Sequence, residues 1–432
     1  MAIEPLHIAI DAGVTAGPSG GVGQAIRSLL YDLANLTDGA EIYEVIVKSE
    51  RQGEQLKPLL GSNQRIVIKP APQPTRFKRL RRRVNRRFTH HDAPARPWPE
   101  VTISNGFYES IGCEVIHFMN QLDYVLCALP TVYNPHDLQH LHYPQFWSPA
   151  VIAQREVVYR AGCRLSHTVV VGSQWIKDDL VNQYQINPDK IQVIPEGPPT
   201  QSVSEPSPQE QAAVLKKFDL QQPFAIYPAV TWEHKNHIRL LEALAYLRDV
   251  RGLTIQLVCT GSQYSFWPQI ESRLSQLKLE SQVKFLGFVT EPELRALYQL
   301  SQFLVMPTLF EASSLPIFEA WFEGLPVACS DVTALPEQVL DAALKFDPES
   351  VQSIAEAVEK LTTGERLRAE LRARGAQRLL DFDCERTARA YRAVYRRAAR
   401  RPLSEEDRHL LNWNWMQRPA TSTKSHQVAA TG

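Results

Sequence analysis

Short apolar runs alternate with longer amphipathic ones along most of this chain, and the alternation occurs twice. HIAIDA, EVIVK, RIVIK, EVIHF, PTVYN, HTVVVG and IQVIP are β-branched runs of strand length in the first half. GVGQAIRSLLYDLANL, VIAQREVVYRAGCRL and SQWIKDDLVNQY have helical spacing between them. Buried strands alternating with helices form a parallel sheet covered on both faces. At 197–210 the composition changes to GPPTQSVSEPSPQE, which cannot build a core. A second set follows: strands FAIYP, TIQLVCTG, VKFLGF, FLVMP and PVACS, with helices such as HIRLLEALAYLRDV, EPELRALYQL and LPIFEAWFEG between them. The expectation is α/β: two Rossmann-like doubly wound domains facing a central cleft, with ligands at the carboxyl ends of the strands.

The expected boundaries are an N-terminal domain at 1–198 on the acceptor side, a linker at 199–220 and a C-terminal donor domain at 221–384. A helix at 385–401 returning to the first domain and a largely disordered tail at 402–432 complete the chain. Its 432 residues suit two domains. Lys+Arg and Asp+Glu are each 47, so a generally basic nucleic-acid coat is excluded and no nucleic acid is expected. No apolar run reaches the roughly 18–20 residues of a membrane span. The start MAIEPLHIAIDAG does not resemble a signal peptide. Six scattered cysteines without a C-x-x-C suggest reduced thiols and a cytoplasmic protein.

The strongest local signal is FEASSLPIFEAWFEG, Phe310 to Gly324. Glu311 falls in the turn after the strand FLVMP. Ser313 and Ser314 suit an N-cap, Pro316 the first helical turn and Gly324 the C′ position. A helix starting at about Leu315 points free N–H groups at the ligand edge, where they bind phosphate. Glu319 lies one turn inside. Two carboxylates bracketing an anion-binding helix start suit a sugar nucleotide; the same residues also suit a capped helix with acids at its positive end.

Glu311 and Glu319 form the E-x7-E pattern of retaining glycosyltransferases of the GT-B fold, and the segment resembles family 4, the group 1 type. The usual E-G-F-G-L-P-x-x-E-A stands here as E-A-S-S-L-P-I-F-E-A, with Ala312 and Ser314 in place of glycines. The resemblance extends from Ile8 to about Arg400. It implies donor contacts at Gly20 and Gly21 in GPSGGVGQ, at Thr231 and Lys235 in YPAVTWEHKNH, at Phe288 in VKFLGF, and at Ser314, Leu315 and Glu319. An arginine common before the lysine is replaced by Ala229 and Val230, leaving Thr231 or His234 as substitutes, or one cation fewer. His136 and Asp137 resemble the family's H-D pair, with His136 beside the transferred sugar and Glu311 holding its hydroxyls. The implied catalytic residues are His136 and Glu311.

The implied activity is retaining, metal-independent hexosyl transfer from a nucleotide diphosphate sugar, GDP-mannose or a UDP-sugar, to a glycan or lipid-linked acceptor. Surface polysaccharide or lipopolysaccharide synthesis is the expected setting, with mannose favoured and no separate cofactor. The alternatives are a non-catalytic GT-B scaffold and a nucleotide-sugar epimerase. His140 and His142 have ligand-like spacing, read as loop or acceptor-site residues. Asp381-Phe382-Asp383 reads as a helix cap.

In RFKRLRRRVNRRF, Arg76 to Phe88, eight of the twelve residues from Arg76 to Arg87 are basic. Phe77, Leu80, Val84 and Phe88 recur on one helical face. A basic amphipathic helix with aromatic residues suits an anionic membrane surface, such as the inner face of the cytoplasmic membrane; packing on its own domain, and RNA or another anionic partner, are the other readings.

Overall fold

The computed structural model describes residues 4–13, 21–70, 100–197 and 204–416. It divides into two compact units. The first comprises residues 1–171, 176–192 and 387–411; the second comprises 172–175, 193–386 and 412–432.

In the first unit the strands are β1 (Leu6–Asp11), β2 (Glu41–Val47), β3 (Gln64–Ile68), β4 (Thr102–Ile103), β5 (Val115–Phe118), β6 (Val125–Leu126), β7 (Thr131–Tyr133), β8 (Thr168–Val171) and β9 (Ile191–Val193). Seven form one sheet in the order β3-β2-β1-β5-β7-β8-β9, with β1 parallel to both β2 and β5. Strands β5, β7 and β8 are buried along their whole length, which is why they read as continuous apolar runs. The helix Gly21–Ala34 turns Ala25, Ile26, Leu29, Leu30 and Leu33 inward, the stripe its spacing predicts. Gly162 lets the helix Pro149–Leu165 lie against the sheet, since a Cβ there would meet the Tyr133 ring at 2.5 Å.

The helix Cys384–Ala398 joins this unit from Thr387 onward. Its Tyr395 hydroxyl lies 2.8 Å from His117 Nδ1, and Asn134 bridges His117 Nε2 (2.9 Å) to the Tyr391 hydroxyl (3.0 Å). Burial pushes His117 down to about 4, so it packs as a neutral ring. Three arginines of this helix are paired, Arg389 and Arg392 with Asp38 and Arg396 with Glu41 and Asp407, and past its end Arg401 pairs with Glu114. Asp383 accepts the Arg386 N–H at 2.7 Å and Asp381 pairs with Arg378, so this D-x-D caps and braces a helix.

In the second unit the strands are β10 (Phe224–Pro228), β11 (Gln256–Thr260), β12 (Val283–Phe285), β13 (Phe303–Met306), β14 (Val327–Ser330) and β15 (Leu344–Phe346). All neighbours are parallel, in the order β12-β11-β10-β13-β14-β15. The chain leaves β10 in one direction and resumes on its other side at β13, so the topological switch point lies between these two strands.

Two expectations about organisation differ from the structure. The expected linker at 199–220 contains a helix, Pro208–Lys217. The proline and serine that read as linker are its start: Ser207 and Glu210 form a capping box and Pro208 opens the first turn. Lys217 pairs with Glu293 and Gln211 bonds Gln299 at 2.6 Å, fastening this helix to Glu291–Leu300. The expected tail from 402 includes a helix, Glu405–Leu411, and a buried Trp415, because LLNWNWM supplies apolar side chains that its polar surroundings lack. The segment Arg76–Phe88 lies outside the described residues.

Candidate active site

The loop after β10 carries Lys235 and the loop after β13 carries Glu311, so both emerge at the switch point of the second sheet. Their side chains form an ion pair, with Lys235 18% and Glu311 12% exposed. Lys235 stands in a 3-10 turn, Glu233–Lys235, just ahead of the helix His237–Arg251. Its carbonyl accepts the Tyr227 hydroxyl at 2.6 Å. Asn236 follows in the left-handed conformation (φ 61°) and donates to the carbonyls of Pro307 and Pro348, each at 2.8 Å. The Leu309 N–H donates to the His234 carbonyl at 2.8 Å. The two loops are thus tied together beneath the charged pair, and a short local motif has acquired a defined geometry.

Glu311 is fixed at its own backbone. Thr333 Oγ1 accepts the Glu311 N–H (3.1 Å) and donates to the Glu311 carbonyl (2.7 Å). Three residues on, the Gln338 side chain does the same for Ser314, accepting its N–H and donating to its carbonyl, both at 2.9 Å. The helix Leu315–Phe322 then begins, and Gly324 ends it at φ 68°. Ser314 occupies the N-cap position without capping. Its hydroxyl lies 3.0 Å from Met306 Sδ, so neither its side chain nor its N–H is the phosphate donor expected there. Pro316 has no N–H, which leaves Leu315 and Ile317 to supply the donors at this helix start. Glu319 accepts the Tyr298 hydroxyl at 2.7 Å, and burial pushes its carboxyl up to about 6.

Neither substitute for the missing arginine supplies charge. Burial drives His234 well below the ordinary histidine range, so it is neutral. Thr231 is buried, with its hydroxyl accepting the Tyr264 N–H at 2.7 Å. Gly261 (φ 112°) lets the loop after β11 close on this one: a Cβ there would meet the Ala229 backbone at 2.7 Å. The loops after β10, β11 and β12 leave large aromatic side chains at the carboxyl-end rim. Phe288 is 64% exposed, Trp232 43% and Tyr264 42%, the last two with ring centroids 5.6 Å apart.

In the first unit His136 also adopts a left-handed backbone (φ 60°), and its Nε2 donates to the Met119 carbonyl at 2.7 Å. Burial lowers its pKa. Residues outside glycine rarely take this conformation, and such positions concentrate at functional sites. Asp137 accepts the Gln139 N–H at 2.9 Å and shapes the turn. His140 and His142 do not share a ligand set. His140 is fully buried against Tyr159 and bonds Glu156 at 2.8 Å, while His142 pairs with Asp179 at 2.9 Å. His140 is therefore a core residue, contrary to the loop or acceptor reading. Gly21 opens the first helix, and Gly20 lies outside the described residues.

The model of the family described as Glycosyltransferase Family 4 matches residues 20–202, and that of the family described as Glycosyl transferases group 1 matches residues 209–378. The chain belongs to the group 1 and family 4 glycosyltransferase family, one model matching each half. O-antigen chain mannosyltransferase B of Escherichia coli is 32% identical over 195 residues, 44% of this chain and 51% of that protein. O-antigen chain mannosyltransferase RfbU of Salmonella typhimurium is 26% identical over 226 residues, 52% of this chain and 59% of that one. The chain spans about half the length of the curated relatives it matches. Sucrose-phosphate synthase from Thermosynechococcus elongatus shares the fold, with a TM-score of 0.66 at 18% identity over 91% of this chain and 99% of that one. The architecture is GT-B, built from two Rossmann-like α/β domains with C-terminal helices.

Sequence reasoning named both ends of the Lys235–Glu311 pair but missed what holds them. Asn236 lies inside the motif and carried a signal, since asparagine tolerates the left-handed region. Thr333, Gln338 and Tyr298 carried none, because their role depends on contacts remote in sequence.

Proposed function

We propose that the chain is a retaining mannosyltransferase that takes mannose from GDP-mannose to a glycan or lipid-linked acceptor in surface polysaccharide synthesis. The observation that carries this reading is the Lys235–Glu311 pair at the switch point of the second sheet, beside a helix start. The names of the O-antigen mannosyltransferases it resembles support the choice of sugar.

In this reading Lys235 and the N–H groups of the helix start take the charge that gathers on the leaving diphosphate, an electrostatic contribution to catalysis. Glu311 releases Lys235 and accepts the sugar's hydroxyls. Glu319, braced by Tyr298, holds the ribose. The aromatic rim of Phe288, Trp232 and Tyr264 offers faces for the base. The family resemblance assigns His136 to the sugar or the acceptor hydroxyl, and Gly20 and Gly21 to the diphosphate. The acceptor attacks the anomeric carbon from the side the leaving group vacates, and the leaving phosphate takes its proton, so no protein base is required. Charge is supplied by the lysine and backbone groups, and the transfer is metal-independent. Among the described residues no helix is long and apolar enough to cross a membrane; contact with an anionic surface is assigned to Arg76–Phe88.

Incubation with a panel of nucleotide sugars, followed by mass spectrometry of the released nucleotide and determination of the product's anomeric configuration, tests the reading. GDP release from GDP-mannose with an α-linked product is expected. Turnover of no donor, or an inverted product, overturns it.

A further inference from the structure

Thr333 is a β-branched residue at φ 50°. That conformation crowds Cβ and is unusual even for small polar residues, whereas glycine adopts it without cost. A turn alone at this position would be served better by glycine. What threonine adds is the hydroxyl, which closes on both sides of the Glu311 residue, accepting its N–H and donating to its carbonyl. The Ala334 N–H donates a second bond to the same carbonyl at 3.3 Å. With the Gln338 amide closing on Ser314, one stretch of chain after β14 holds both ends of the segment 311–314. That segment connects the Glu311 carboxylate to the start of the helix Leu315–Phe322.

We propose that Thr333 is a positioning residue that fixes the Glu311 backbone, so that Lys235 is the partner that moves when a donor enters and separates the pair. The inference rests on the donor-site reading above. In the free protein the carboxylate is engaged by Lys235. A diphosphate competes for the ammonium while sugar hydroxyls compete for the carboxylate. Both exchanges succeed without displacing the sugar only if one member of the pair stays in place. Lys235 has a long flexible stem; Glu311 has a backbone whose donor and acceptor are both occupied by Thr333. The strained threonine therefore contributes to sugar placement, and not to capture of the nucleotide.

The full chain is compared with Thr333→Ser, which keeps the hydroxyl, and Thr333→Gly, which removes it while relieving the backbone. Three readouts are taken: amide hydrogen exchange at Glu311, the Kd for GDP by calorimetry, and kcat for the donor that the wild type turns over. Thr333→Gly should exchange the Glu311 amide at least about tenfold faster. Its kcat should fall about 10–100-fold, the scale of a displacement near 1 Å, with the GDP Kd within about twofold of wild type. Thr333→Ser should stay within about threefold on all three. Unchanged exchange in Thr333→Gly, unchanged kcat, or a loss of GDP affinity as large as the loss of kcat overturns the inference. If the wild type bound no nucleotide, the donor-site reading would fail by itself, and amide exchange would still decide whether the clamp exists.

Discussion

Replacing Glu311 with glutamine should make the protein bind a nucleoside diphosphate at least as tightly as before, although it removes a residue of the candidate active site. In the free protein the Lys235 ammonium is committed to Glu311, with both groups mostly buried. A diphosphate must take the ammonium from that carboxylate, so the pair opposes binding. Exposed pairs contribute up to about 1 kcal/mol, and in mostly buried ones the stronger attraction is offset by desolvation of both charges. Neutralising Glu311 should therefore tighten GDP binding by roughly fivefold at about 1 kcal/mol. The same change should reduce kcat, because the sugar loses its acceptor. Lys235→Met acts in the opposite direction: it removes a charged hydrogen-bond donor from the diphosphate, about 1.5–3 kcal/mol or roughly 10–150-fold in Kd. It also strands Glu311, so its melting temperature should fall further than that of the double variant Lys235→Met/Glu311→Gln. Isothermal calorimetry with GDP on all four proteins, at one ionic strength, measures the cycle. A Kd unchanged within twofold in Lys235→Met, or weakened more than tenfold in Glu311→Gln, would refute the assignment of Lys235 to the diphosphate.

Glu319→Ala should weaken GDP binding about 10–100-fold, more than the corresponding change at Glu311, because the ribose is present in donor and product alike; unchanged calorimetry would sink the ribose assignment. Burial raises the Glu319 carboxyl to about 6, so its ionisation opposes folding above that pH and the penalty is relieved as pH falls through 6 toward the ordinary carboxylate range. The protonated form loses an acceptor, so GDP affinity should weaken between pH 7 and 5 by more in the wild type than in Glu319→Gln, which controls for titration of the phosphate. Transfer should persist in EDTA; activity abolished by chelation and restored by Mg²⁺ or Mn²⁺ would contradict the lysine and backbone account of charge stabilisation. Charges near an anionic surface contribute about 1 kcal/mol each and are screened within about 10 Å at 0.1 M salt. Replacement of Arg81, Arg82 and Arg83 with Ser should accordingly reduce co-sedimentation with anionic liposomes, and binding that survives both this change and added salt would remove the membrane reading of Arg76–Phe88.

The sequence by itself determined the fold class and named the charged residues of the candidate site. Strands such as VIHF and TVVV are buried on both faces, so they are mostly apolar and read as short continuous runs without tertiary information. The Glu311-to-Gly324 segment carried its own helix start, its Pro316 and its terminal glycine, all local signals. The spacing of Lys235 from FAIYP put it on the loop after a strand. Tertiary structure decided everything that depends on strand order. Only the sequence-remote neighbours β10 and β13 bring Lys235 to Glu311, 76 residues apart in the chain. Only packing converts Ser314 from a cap into a clamped backbone, buries His140 against Tyr159, and neutralises His234. It also turns the proline and serine near 207 into a helix start, since a capping box is stable only where the helix behind it finds a partner, here Glu291–Leu300. A side chain's neighbours in the chain set its conformational preference, but its charge state and hydrogen-bond partners are set by what the fold brings against it.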